Sequence, residues 1–85
     1  MEQFTYTIQD PDGLHARPAG LLAKYAQGCT STVSIEKDGK ISDAKRLFAV
    51  MSLNVKKGDR ITFQIEGESD KADCAKLKSF CEMNL

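Results

Sequence analysis

Two chemically capable residues stand close together in Gly13-Leu14-His15-Ala16-Arg17-Pro18-Ala19, which holds the only histidine of the chain two positions before an arginine. The segment lies where a strand-like run gives way to a helix-like run. Imidazole, guanidinium and unpaired main-chain amides therefore meet at one helix start, a setting that suits a negatively charged group, phosphate above all. A single loop histidine is ordinarily a plain surface residue, but its neighbours argue for more. Amides at a helix start point outward and carry partial positive charge. Pro18 has no N–H, so Ala16 and Arg17 are the expected backbone donors. Arg17 adds a fixed charge and a fork of donors matched to phosphate oxygens. The helix end and Arg17 are both expected to disfavour an imidazolium, leaving a nucleophilic ring nitrogen that solvent can reach. Covalent catalysis by histidine needs this set of groups. The chain has no Walker-type glycine loop and no evident carboxylate pair for magnesium. A passive carrier working between two larger proteins fits better than an enzyme that drives the transfer alone.

The elements that must hold these residues follow from periodicity. Phe4, Tyr6 and Ile8 alternate with polar residues, as in a strand with one buried face. Asp10-Pro11-Asp12-Gly13 signals a turn. Pro18 fits the first turn of a helix, in which Ala19, Leu22, Ala23 and Ala26 recur at helical spacing and Leu21 and Tyr25 widen the apolar face. Gly28 is expected to end that helix in the left-handed conformation. Val33 and Ile35 point inward from a second strand. Lys37-Asp38-Gly39-Lys40 reads as a hairpin turn, and Ile41 continues the returning strand. Leu47, Val50 and Met51 predict a short helix. Lys57-Gly58-Asp59 turns the chain into a strand with Ile61, Phe63 and Ile65. Ser69 and Asp70 are N-cap candidates for a last helix with Cys74, Leu77 and Cys81 on its inner face. The order is βαββαβα. Alternation in the strands predicts an α+β fold, with helices on one face of a mostly antiparallel sheet and the other face wet.

Composition narrows the partners. Eighty-five residues make one domain, and 41% hydrophobic content is enough for a core. Twelve basic and twelve acidic side chains cancel. No global field recruits nucleic acid or a membrane, so electrostatic function must be local. Cys29, Cys74 and Cys81 lack metal or redox spacing and read as reduced, buried small hydrophobes. One histidine and scattered cysteines do not make a metal ligand set, and no cofactor is expected. The N-terminus runs straight into the first strand and no apolar run is long enough to span a bilayer, which predicts a cytoplasmic protein.

The segment from Gly13 to Ala19 resembles the active-site signature of the HPr family, the histidine phosphocarriers of the bacterial phosphoenolpyruvate:sugar phosphotransferase system. Lys45 to Leu53 is similar to that family's second helix, and Lys57-Gly58 resembles the start of its last strand. The resemblance covers nearly the whole chain. It implies an open-faced β-sandwich over residues 1–85, with four antiparallel strands covered by three helices. It implies that His15 takes phosphate on Nδ1 from phosphorylated enzyme I and passes it to the IIA domains of sugar permeases, and that Arg17 stabilises the group in transit. A monomer is expected.

Leu47 and Phe48 are adjacent, so one helix cannot bury both equally. Phe48 and part of Leu47 are expected to stay exposed and, with Leu21 and Met51, to form an apolar docking patch rimmed by Lys24 and Lys45. Many family members carry a regulatory serine at the position held here by Arg46, which cannot be phosphorylated. This predicts escape from that regulation. Asn54 stands where many relatives have glycine and suits a left-handed cap. A regulatory binding module on the same fold and a carrier serving a different enzyme I are the alternatives.

Overall fold

Strand alternation builds a sheet with one dry face and one wet face. The computed structural model describes residues 1–85, with β1 (Glu2–Thr7), α1 (Ala16–Gln27), β2 (Thr32–Lys37), β3 (Lys40–Asp43), α2 (Leu47–Met51), β4 (Arg60–Glu66) and α3 (Asp70–Asn84). The strands form one antiparallel sheet in the order β1-β4-β2-β3. Strand β4 is central: Phe63 lies opposite Phe4 on one side and Ile35 on the other. Ile61, Phe63, Ile65, Val33 and Ile35 are buried under the helices. The rings of Phe4 and Phe63 stack at 5.1 Å. The polar partners Thr5 and Thr62 face the open side with their hydroxyls 3.4 Å apart. Period 2 thus divides the sheet into a core face and a solvent face.

Each helix contributes the stripe expected of it. Leu22, Ala23 and Ala26 of α1, Val50 of α2, and Cys74, Leu77 and Cys81 of α3 are buried. All three cysteines are buried and free. Asp38 (φ 50°) and Gly39 (φ 84°) make the β2–β3 hairpin turn, and Asn54 (φ 52°) takes the left-handed conformation after α2.

Three local expectations need correction. Gly28 is right-handed, with φ −77° and ψ −12°. Helix α1 ends by tightening: Gly28 N–H donates to the Tyr25 carbonyl at 3.1 Å and Cys29 N–H to that of Ala26 at 3.0 Å. These i→i−3 bonds satisfy the last carbonyls without a left-handed residue. Ser69 occupies the N-cap of α3 but its side chain makes no capping bond. Tyr25, at the margin of the apolar face of α1, is exposed rather than core. Tyr25 stacks on Phe80 of α3 at 4.7 Å.

The one buried charge lies where α3 meets the start of β2. Asp73 is buried, and its Oδ2 accepts the Ser31 amide at 3.1 Å. The adjacent Ser31 hydroxyl and that amide hold the carboxyl below its ordinary 3.8, against the opposing effect of burial. The hydroxyl itself, though buried, forms no well-directed hydrogen bond. A lowered carboxylate pKa stabilises the fold above the unfolded-state value and loses that contribution as pH falls through the folded-state value. The resistance of the wild type to urea should therefore fall as pH drops below 3.8. Asp73→Asn should be less stable at neutral pH and show a flatter acid dependence, and an unchanged acid slope would remove Asp73 from this role.

Candidate functional site

The loop after β1 reaches α1 by packing its main chain against the loop that precedes β4. Leu14, buried, donates its amide to the Val55 carbonyl at 2.9 Å. Ile8 N–H donates to Asp59 O and Gly58 N–H to Ile8 O, both at 2.9 Å. Gly13 (φ +70°) lies so close to this second loop that a Cβ would come within 2.4 Å of the Val55 carbonyl oxygen. Only glycine fits there. The second loop is fixed in turn by Lys37, whose Nζ donates to Asn54 O and pairs with Asp59 Oδ2, each at 2.9 Å. Asp59 also accepts the Lys56 amide at 2.8 Å, and these contacts hold its carboxyl below the usual range.

His15 is the N-cap of α1. Its backbone is extended (φ −80°, ψ −173°), and its carbonyl accepts the Ala19 amide at 2.9 Å. Its side chain makes no capping bond and is 41% exposed. The amides of Ala16 and Arg17 carry no backbone hydrogen bond, and Pro18 has none to offer. Ala16 and Arg17 are exposed, so the ring and two free amides share one solvent-facing helix end whose first turn carries Arg17. An anion docked there meets donors already oriented.

The surroundings of the ring are more mixed than the sequence predicts. Asp10 Oδ2 lies 3.8 Å from His15 Nε2. Ligand-type atoms of Asp10, Asp12 and His15 all lie within 4.8 Å of one another. A carboxylate pair thus stands beside the histidine, where none is evident from the sequence; exposed acidic groups commonly gather in this way without holding an ion. Across the hollow beside His15 lie Met51, Asn54, Lys56 and Lys57. The Asp10-Pro11-Asp12-Gly13 segment reads as a turn in sequence. The signal that could have flagged Asp10 is a carboxylate held within one tight turn of the histidine.

The predicted docking residues separate by exposure. Phe48 is 80% exposed and Leu21 44%. Leu47 and Met51 are half-buried and pack on the core. The adjacent pair is therefore split, with Leu47 turned in and Phe48 turned out. Lys24 is exposed. Lys45 folds toward the end of α1, where its Nζ donates to Cys29 O at 3.1 Å. Arg46 is the exposed N-cap of α2. The cysteines offer no competing nucleophile: burial raises the Cys29 thiol and pushes Cys81 up to about 12.

Residues 2–83 match the family model described as the PTS HPr component phosphorylation site. The structure is similar to that of HPr from Thermoanaerobacter tengcongensis, with a TM-score of 0.93 and 33% identity over 99% of this chain and 94% of that one. The phosphocarrier protein HPr of Bacillus anthracis aligns with a TM-score of 0.87 and 32% identity over 94% and 95% of the two chains. Crh of Bacillus subtilis, a catabolite repression protein that crystallised as a domain-swapped dimer, aligns with a TM-score of 0.77 and 35% identity over 100% and 98%.

An N-cap without a capping bond leaves stability unused. His15→Ser should supply a side-chain acceptor for the free amides and raise stability by about 0.5–1 kcal/mol, read as a higher urea midpoint at unchanged slope. A lower midpoint would mean that the imidazole supports the helix start in another way.

Proposed function

This chain belongs to the HPr family of phosphocarrier proteins, and from that premise we propose that it carries a phosphoryl group on His15 Nδ1 between phosphorylated enzyme I and the IIA domains of sugar permeases. The observation that supports this most directly is the exposed imidazole at a helix start beside two unbonded amides and an arginine. In the transfer, the Nδ1 lone pair forms the new N–P bond while the bond from phosphorus to the donor breaks, its electron pair leaving with the donor. The Ala16 and Arg17 amides and the Arg17 guanidinium receive the phosphoryl oxygens, which carry charge throughout. The chain is a carrier and not an enzyme on its own: it needs a phosphorylated partner to load it and another to unload it. No cofactor enters this scheme.

Both partners would dock on the apolar surface of Phe48, Leu21, Leu47 and Met51, with Lys24 and Lys45 at its edge. A protruding aromatic ring offers one contact that several partners can share. Arg46 removes serine phosphorylation at the start of α2 as a control. Residues 1–85 act as one domain, in the cytoplasm. We read the active form as a monomer. Since Crh is a swapped dimer, light scattering is the check.

Mixing the protein with enzyme I, magnesium and phosphoenolpyruvate should add the mass of one phosphate in an acid-labile form. His15→Ala should abolish it with the fold intact, and Arg17→Ala should slow transfer by about 10²-fold. Phosphate on His15→Ala, or wild-type transfer by Arg17→Ala, would contradict the assignment.

Phe48→Ala should leave stability within about 0.5 kcal/mol, since the ring is 80% exposed. It should raise the KM for the carrier with enzyme I severalfold while kcat holds. An unchanged KM would move the docking surface elsewhere.

A further inference from the structure

We propose that Asp10 is a positioning residue for His15, holding the ring proton on Nε2 and so leaving Nδ1 as the nucleophile. The proposal rests on the carrier reading above and adds to it a residue that the signature segment does not contain. Asp10 is firmly placed. Its amide donates to Leu85 O at 3.1 Å, and its carbonyl accepts the Gly13 amide at 2.9 Å. Its Oδ1 accepts the Asp12 amide at 2.8 Å. One carboxylate oxygen is thus committed to the loop, and the other, Oδ2, is turned toward His15 Nε2 at 3.8 Å. That separation is an ion-pair distance rather than a formed hydrogen bond, and a small side-chain rotation closes it. Asp10 is half-buried, with its side chain 28% exposed, so water screens the contact only in part.

An anionic acceptor facing Nε2 favours the tautomer protonated there. The free lone pair is then on Nδ1. When Nδ1 receives phosphoryl, the ring gains positive charge with its proton still on Nε2, opposite Oδ2. On onward transfer, the N–P electron pair returns to Nδ1 and the proton does not move. The other charges near the ring do not substitute for this contact. Arg17 on α1 and Lys56 and Lys57 across the hollow are cationic, and the exposed Asp12 carboxylate, within 4.8 Å of a ring nitrogen, is the one other anion, which the Asp12→Asn variant below tests.

Asp10→Asn gives a sharp test because it keeps the Oδ1 acceptor for Asp12 and puts an N–H donor where Oδ2 was. That donor favours a lone pair on Nε2 and a proton on Nδ1, blocking the nucleophile. Full-length ¹⁵N-labelled protein is compared by long-range ¹H–¹⁵N NMR at about pH 9, above the ordinary imidazole range. The Nε2–H to Nδ1–H ratio should fall at least about tenfold in Asp10→Asn, with an intermediate ratio in Asp10→Ala and an unchanged ratio in Asp12→Asn. Phosphoryl acceptance from enzyme I should fall about tenfold in Asp10→Asn. A tautomer ratio within about twofold of wild type in both Asp10 variants would overturn the proposal. If the wild type accepts no phosphate from enzyme I, the carrier reading fails instead, and the tautomer ratios still decide what Asp10 does to the ring.

Discussion

Main-chain contact between the loop after β1 and the loop before β4 is what the site depends on. The Leu14 amide reaches the Val55 carbonyl, and Gly13 comes closer to that carbonyl than any side-chain-bearing residue could. Without this approach the N-terminus of α1 would have no fixed direction, and the free amides would point nowhere in particular. The Lys37–Asp59 pair extends the anchor to the sheet by fixing the second loop to the end of β2. Core packing, loop contact and the aim of the histidine are therefore one connected constraint.

Function and stability pull against each other at the same residue. A serine or aspartate at the N-cap of α1 would close the helix end, but would use up the amides that an incoming anion needs. A histidine there leaves them free. The charge around the ring is mixed rather than uniformly positive, with the helix end and the Asp10 carboxylate both beside it. In the proposed carrier role, a group that accepts a phosphoryl and then releases it would benefit from that mixture, since stabilisation of only one state would trap it.

Much of this was legible from the residues alone. Alternation in Phe4–Ile8, Val33–Ile35 and Ile61–Ile65 is local and survives folding unchanged, so the strands and their inward faces follow directly. His15 at a helix start follows from Pro18 and the turn before it. Strand order was beyond reach, because the central place of β4 depends on which edges meet and periodicity says nothing of that. The Gly28 conformation departed from expectation because a terminal i→i−3 tightening meets the same need as a left-handed cap. Asp10 was missed for a similar reason: a turn signal describes the backbone, while the direction of a carboxylate within the turn depends on which oxygen its neighbour's amide has already taken.

The anchors of the site are made of peptide groups. Ile8, Leu14, Val55 and Gly58 contribute N–H or C=O, which every residue but proline supplies in full. Such a framework is largely indifferent to side-chain identity at those positions. Sequences can diverge along both loops while the geometry at the histidine stays put, provided glycine is kept at the point of closest approach. The places free to change are then the protruding ones, and lineages can retune whom the protein meets without disturbing what it carries.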